Sequence, residues 1–167
     1  MRANQRPRNG DELGHRTRRD DRYGLNRHEW TRVAAVYTPD ARVRPDGWHE
    51  EVDVATWHKA FGLIVTSFPD LALTAEHVAV GHAAVIMEVM LIGTNRGPFY
   101  LGDMDRLVLN TDAECLPPTG RMVNITGTVV LQTAGDLVTS ERHYWRLLDT
   151  LTQLGLVEPK PLADGPK

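Results

Sequence analysis

The chain has 167 residues, 41% apolar and 25% charged, enough for one compact domain with a core of its own and too few for two ordinary ones. No stretch approaches the roughly 18 apolar residues of a membrane helix, and the Arg-rich start lacks the apolar centre of a secretory signal, so a cytoplasmic protein without a span is expected. Cys115 is the single cysteine and no His or Cys pair stands at zinc-site spacing with two further ligands, which excludes a disulfide scaffold and a structural zinc site and leaves packing alone to hold the fold.

The net charge of −3 is unevenly distributed. Seven arginines (Arg2, Arg6, Arg8, Arg16, Arg18, Arg19 and Arg22) face Asp11, Glu12, Asp20 and Asp21, so the start is basic and the body acidic. An acidic body argues against a nucleic-acid reader. The basic head has no interleaved aromatics and is interrupted by acids, so residues 1–23 are read as a solvated, poorly ordered tail, 24–157 as the domain, and 158–167, with Pro159 and Pro161, as a second tail.

In chain order, Trp30, Val33, Ala34 and Tyr37 fall at helical spacing and predict a helix over 26–37, capped by Asn26 and stopped by Thr38-Pro39-Asp40. A second helix is expected over 53–67, where Trp57, Ala60, Phe61, Ile64, Val65 and Phe68 recur on one face behind an Asp53 cap. The period then changes. Residues 71–80, 83–93, 99–110, 120–133 and 137–146 read as strands, separated by turn signals at Gly81, Arg96-Gly97-Pro98, Pro117-Pro118-Thr119-Gly120 and Ala134-Gly135-Asp136. A short helix over 149–156, closed by Gly155, ends the pattern. Helices followed by a run of strands predict an α+β fold in which helices cover one face of a curved antiparallel sheet, leaving a cone whose mouth suits an apolar pocket.

Five short segments carry a resemblance: Tyr37-Thr38-Pro39-Asp40-Ala41 after Trp30, Phe68-Pro69-Asp70-Leu71, Gly93-Thr94-Asn95-Arg96-Gly97-Pro98, Pro118-Thr119-Gly120-Arg121 and Gln153-Leu154-Gly155-Leu156. In order and spacing they resemble the SnoaL-like polyketide cyclases of the NTF2-like superfamily, over about residues 26–157. The resemblance implies a cone-shaped α+β barrel, often a homodimer, that binds a polycyclic polyketide and closes a ring by aldol chemistry with no cofactor or metal, using an acid near the end of the last strand. Tyr144-Trp145-Arg146 stands where the family's Tyr-x-Asp is expected, so Arg146 replaces that acid, and Asn95 stands where many relatives have His. These departures keep two other readings open: a diverged member with another reaction, such as a hydroxylation partner or a ring-rearranging enzyme, and a non-catalytic module that binds a hydrophobic ligand.

Alternation along the last hairpin puts Thr139, Glu141, His143 and Trp145 on one side, with Gln132, Val130 and Thr128 as facing neighbours. His143 is then a candidate general base and Gln132 an oxygen-binding partner. The alternative turns Arg142, Tyr144 and Arg146 inward. Arg146 could hold an enolate oxygen or pair with Asp149 or Glu141 at the rim. Asp149 could be an acid or base, or the cap of the last helix. Glu88, in an apolar strand with Met90, could be an acid in the cone or an outward charge. Trp30, Tyr37, Trp57, Phe61, Met90, Tyr144 and Trp145 complete the candidate ligand contacts, with core packing the other use of the aromatics. A homodimer through the outer sheet face is expected, since a cone leaves that face uncovered and Val123, Ile125, Val129 and Leu131 cannot share a single interior with the alternate residues of their strand.

Overall fold

The computed structural model describes residues 29–158. The expected tail over 1–23, the Asn26 cap and all but the first residue of the tail over 158–167 lie outside these residues. The elements in order are α1 (Trp30–Ala34), β1 (Tyr37–Arg44), β2 (Val52–Asp53), α2 (Val54–Ser67), β3 (Ala72–Val80), β4 (Ala84–Thr94), β5 (Phe99–Tyr100), α3 (Asp103–Leu109), β6 (Cys115–Leu116), β7 (Met122–Ala134), β8 (Leu137–Trp145) and α4 (Leu147–Gln153). Six strands form one curved sheet in the order β2-β1-β8-β7-β4-β3, and β5 and β6 pair as a separate ribbon. The large sheet is antiparallel except for the β1–β8 pair, which is parallel. This is the mixed α+β architecture expected from the sequence, a curved and mostly antiparallel sheet with helices.

Helix α2 forms where its pattern predicts. The Asp53 carboxylate accepts the Thr56 N–H at 2.6 Å, satisfying a donor that the first turn leaves unpaired, and Phe68 ends the helix. Trp57 and Phe61, one turn apart, are buried against the inner face of the sheet. Each such burial stabilises by about 1.5–3 kcal/mol. The other wall is the alternating inner set of β4 (Val85, Met87, Val89, Leu91) and β7 (Val123, Ile125, Val129, Leu131), in which Val85 faces Leu131, Met87 faces Val129 and Leu91 faces Ile125, while Val89 and Val123 lie opposite glycines. These four β7 residues share a single interior and do not themselves reach the outer face of the sheet.

Three expectations fail for identifiable reasons. The helix foreseen over 26–37 is, among the described residues, the single turn α1, and Tyr37 to Asp40 opens β1 instead of stopping a helix. Pro39 is accommodated because the β1–β8 register shifts between Tyr37 and Arg42, so its missing N–H costs no ladder bond there. The strand foreseen over 99–110 is only Phe99–Tyr100, followed by α3. The Asp105 carboxylate takes the Gly102 N–H at 2.7 Å, and Asn110 adopts φ 50° at the C-terminal end, so helix-end chemistry prevails over an apolar run of ambiguous period. The last helix begins at Leu147, with Arg146 at its cap position, and Asp149 therefore lies inside the first turn.

The segments that carry the resemblance are joints of this scaffold. Gln153 on α4 pairs with Asn124 on β7 as a strand would, its Oε1 accepting the backbone N–H at 2.7 Å and its Nε2 donating to the carbonyl at 3.0 Å. Leu154 is buried beside it and Gly155 turns the chain at φ 71°. Asn95 ties three turns together. Its Nδ2 donates to the carbonyls of Ser67 (3.2 Å) and Gly97 (2.9 Å), and its Oδ1 accepts the Thr119 N–H at 2.7 Å.

Candidate active site

Between α2 and the inner sheet face lie two adjoining cavities. The smaller holds about 80 Å³ and is walled by apolar side chains of α2, β4 and β7, with Tyr37, His58, Glu141, His143 and Trp145 as its polar-edged members. The larger, about 480 Å³, lies beneath the loop carrying Pro45 to Trp48 and the start of α3, and falls within the size range of ligand sites. Trp57, Ile64, Leu91 and Trp145 line both and form the partition.

His143 and Glu141, two residues apart on β8, point to the same side and are both buried. The Glu141 carboxylate is hydrogen-bonded at one oxygen by His143 Nε2 and at the other by the Tyr37 hydroxyl. Burial alone would raise the Glu141 pKa, but the charge of His143, the hydrogen bonds from His143 and Tyr37 and the charge of His58 together hold it below the usual glutamate value. A carboxylate at Oε1 requires His143 Nε2 to be the N–H, which in the neutral ring leaves the lone pair on Nδ1. That Nδ1 is buried and has no hydrogen-bond partner among the described residues. The ring is gripped edgewise by Trp57 at 4.6 Å between centroids and flanked by Trp145 at 6.4 Å.

Three further ionisable groups border the site. Burial lowers the His58 pKa, with the Glu141 charge opposing. Asp46, on the wall of the larger cavity, is raised by burial against the opposing effects of a hydrogen bond to the Trp145 backbone and the charge of His143. Asp105, on the same wall, is also raised by burial, with the neighbouring Asp46 charge adding to it. Among the described residues no three His, Cys, Asp or Glu side chains converge as a metal site, and no helix is long and apolar enough to cross a membrane.

Of the residues singled out from the sequence, Tyr37, Trp57, Phe61, His143 and Trp145 line the smaller cavity, while Trp30 packs behind it against Phe61 and His58. The others lie elsewhere. A register shift leaves Thr139 unpaired, so His143 faces Val129, and Gln132 faces Ser140 on the opposite side of the sheet. One extra residue in one strand reverses the alternation across the hairpin, which is why Gln132 does not reach His143. Glu88 and Met90 also occupy the outer face, where Glu88 meets His77 at 2.8 Å, and Met87 and Leu91 take the inner positions. Tyr144 is 53% exposed on that outer face. Arg146 and Asp149 pair with each other at 2.8 Å at the surface and line neither cavity. The sequence reading passed over Glu141 as a site residue although its spacing from His143 signals a shared face. Nothing in the local pattern marks His58 or Asp46.

Trp145 owes its place to a glycine. It lies opposite Gly127 on β7, and a Cβ there would come within 2.1 Å of its ring. Gly127→Ala is therefore expected to push the indole out of the partition, costing about 1–3 kcal/mol of stability and changing the near-ultraviolet circular dichroism. An unchanged spectrum and melting curve would show that the ring is not held there.

Residues 16–154 match the model of the SnoaL-like polyketide cyclase family, a match that begins ahead of residue 24. No curated protein matches the chain in sequence. Among solved structures, the chain is similar to a proposed SnoaL-like polyketide cyclase from Jannaschia sp. CCS1, with 21% identity, a TM-score of 0.71 and coverage of 95% of this chain and 100% of that one. It is also similar to AclR, a proposed hydroxylase from Streptomyces galilaeus (18% identity, TM-score 0.70, 91% and 86% covered). A third similar structure is IdmH, a proposed polyketide cyclase from Streptomyces antibioticus (17% identity, TM-score 0.67, 85% and 98% covered). At these identities the likeness is one of fold.

Proposed function

Since the chain belongs to the SnoaL-like polyketide cyclase family, we propose that it closes a ring in a polycyclic aromatic polyketide intermediate by acid–base chemistry without a cofactor. The observation that carries this reading is the buried Glu141–His143 pair, held by the half-buried Tyr37, which ends in an imidazole nitrogen unpartnered among the described residues beside a mostly apolar cavity. In the step we envisage, His143 Nδ1 takes a proton from a carbon flanked by carbonyl groups, and the C–H electron pair moves into an enolate. The enolate carbon attacks a second carbonyl in the same molecule, forming the new C–C bond. The resulting alkoxide recovers the proton from the imidazolium, which Glu141 has stabilised meanwhile. This assignment moves the acid–base role from the strand end, where the resemblance implies an acid and this chain has Arg146, to His143 within the strand. Trp57 and Trp145 present aromatic rings to a flat substrate, and the larger cavity has room for its remaining rings.

The test is conversion of an aromatic polyketide that bears an unclosed β-dicarbonyl side chain. In chelator-treated buffer without nicotinamide or flavin, the protein is expected to yield the cyclised isomer, or that isomer less one water, faster than buffer alone. A requirement for added metal or nicotinamide would overturn the acid–base reading. Saturable binding with no conversion would identify a ligand-binding module instead of an enzyme.

A further inference from the structure

His58 follows Trp57 on α2 and lines the smaller cavity. Its ring is stacked at a tilt on Trp30, 5.4 Å between centroids, and meets Tyr37 edgewise at 6.5 Å. Its Nε2 is buried without a hydrogen-bond partner among the described residues. The nearest charge it feels is Glu141, whose two oxygens are already taken by Tyr37 and His143. Native proteins leave few buried polar atoms unsatisfied. Here two imidazole nitrogens, His58 Nε2 and His143 Nδ1, are both left so by residues that line the same small and mostly apolar cavity.

We infer that His58 is a second catalytic residue, a neutral imidazole whose Nε2–H binds the ligand oxygen on which negative charge develops while His143 Nδ1 takes the neighbouring carbon-bound proton. The inference rests on the proposed cyclase reading and divides its chemistry between two nitrogens. Burial favours the uncharged ring, and a neutral imidazole carries one N–H for donation. As a donor fixed before the ligand arrives, it stabilises the enolate without reorganising. The ligand class this specifies is a ketone or phenol whose oxygen enters the small cavity while its rings lie against Trp57 and Trp145.

The experiment uses the full chain and two readouts. In the first, His58→Ala is expected to lower kcat by about 10²-fold with KM nearly unchanged, and His58→Gln, whose amide N–H can replace the donor, to recover part of the loss. The second needs no turnover: 2-naphthol, two fused rings with a single oxygen, is titrated and its binding followed by its own fluorescence. Affinity is expected to fall about tenfold in His58→Ala, the loss of roughly one net hydrogen bond, and to be partly restored in His58→Gln. Equal naphthol affinity in the wild type and His58→Ala, or none in either, overturns the inference and means that water alone satisfies the nitrogen. If instead His143→Gln keeps full turnover while naphthol still separates the His58 variants, the oxygen site stands and it is the proposed base that fails.

Discussion

Replacing His143 with glutamine is expected to lower kcat by about 10²- to 10⁴-fold while ligand affinity changes little. Glutamine keeps a polar side chain that Glu141 can engage, so the buried carboxylate is not left alone as it would be in an alanine variant. What it removes is a nitrogen that can cycle between protonated and free forms. Because Glu141 and Tyr37 hold the relay from the far side, the residues that touch a flat ligand, Trp57 and Trp145, remain in place. A kcat within about threefold of the wild type, with an unchanged melting curve, would show that the proton leaves through another group. Asp46, whose carboxyl is pushed upward by burial on the wall of the adjoining cavity, would then be the first to examine.

Asn95→Ala is expected to cost about 3–5 kcal/mol of folding stability and to lower Tm by roughly 10 °C or more. The side chain is completely buried and makes three hydrogen bonds to backbone groups of three separate segments. Ser67 loses least, since its carbonyl also accepts the N–H groups of Arg96 and Gly97 at 3.1 Å. Thr119 is hit hardest, because the Asn95 oxygen is its backbone N–H's acceptor. Gly97 adds rigidity to the joint: a Cβ there would lie 2.0 Å from the Thr66 carbonyl oxygen, so the turn packs directly on the end of α2 and has little room to collapse into the space alanine leaves. A loss below about 1 kcal/mol in chemical denaturation would mean that water replaces the amide at all three points. Asn95 serves the scaffold and lines neither cavity.

The segments most legible in the sequence turn out to be joints. Asn95 and Gly97 in one, Thr119 in another, and Gln153 to Gly155 in a third fasten α2, β7 and α4 through side-chain to backbone bonds and close contacts. Such contacts demand one residue type at one place, so they leave recognisable short motifs. Cavity walls need only apolar bulk, which many residues supply, and polar groups inside are placed by strands distant in sequence. Tyr37 and Glu141 are 104 residues apart in the chain and meet because β1 lies parallel beside β8. Neither strand's local pattern carries that adjacency.

The sequence by itself determined the single α+β domain, the Asp53-capped helix α2 and the long β4, β7 and β8, because periodicity and capping act over a few residues and are written in their order. It also determined that Glu141, His143 and Trp145 share a face, a consequence of strand alternation alone. Only the tertiary structure decided which face that is, and what opposes it. The bulge at Thr139 set Val129 instead of Thr128 opposite His143 and turned Gln132 to the other face, the helix α2 covered the side bearing Glu141 and left Glu88, Met90 and Tyr144 outside, and the turn into α4 left Arg146 with Asp149 at the surface. A register shift of one residue and the choice of covered face are settled by long-range packing, whose energy comes from burying one whole side of the sheet and so cannot be read from any one strand.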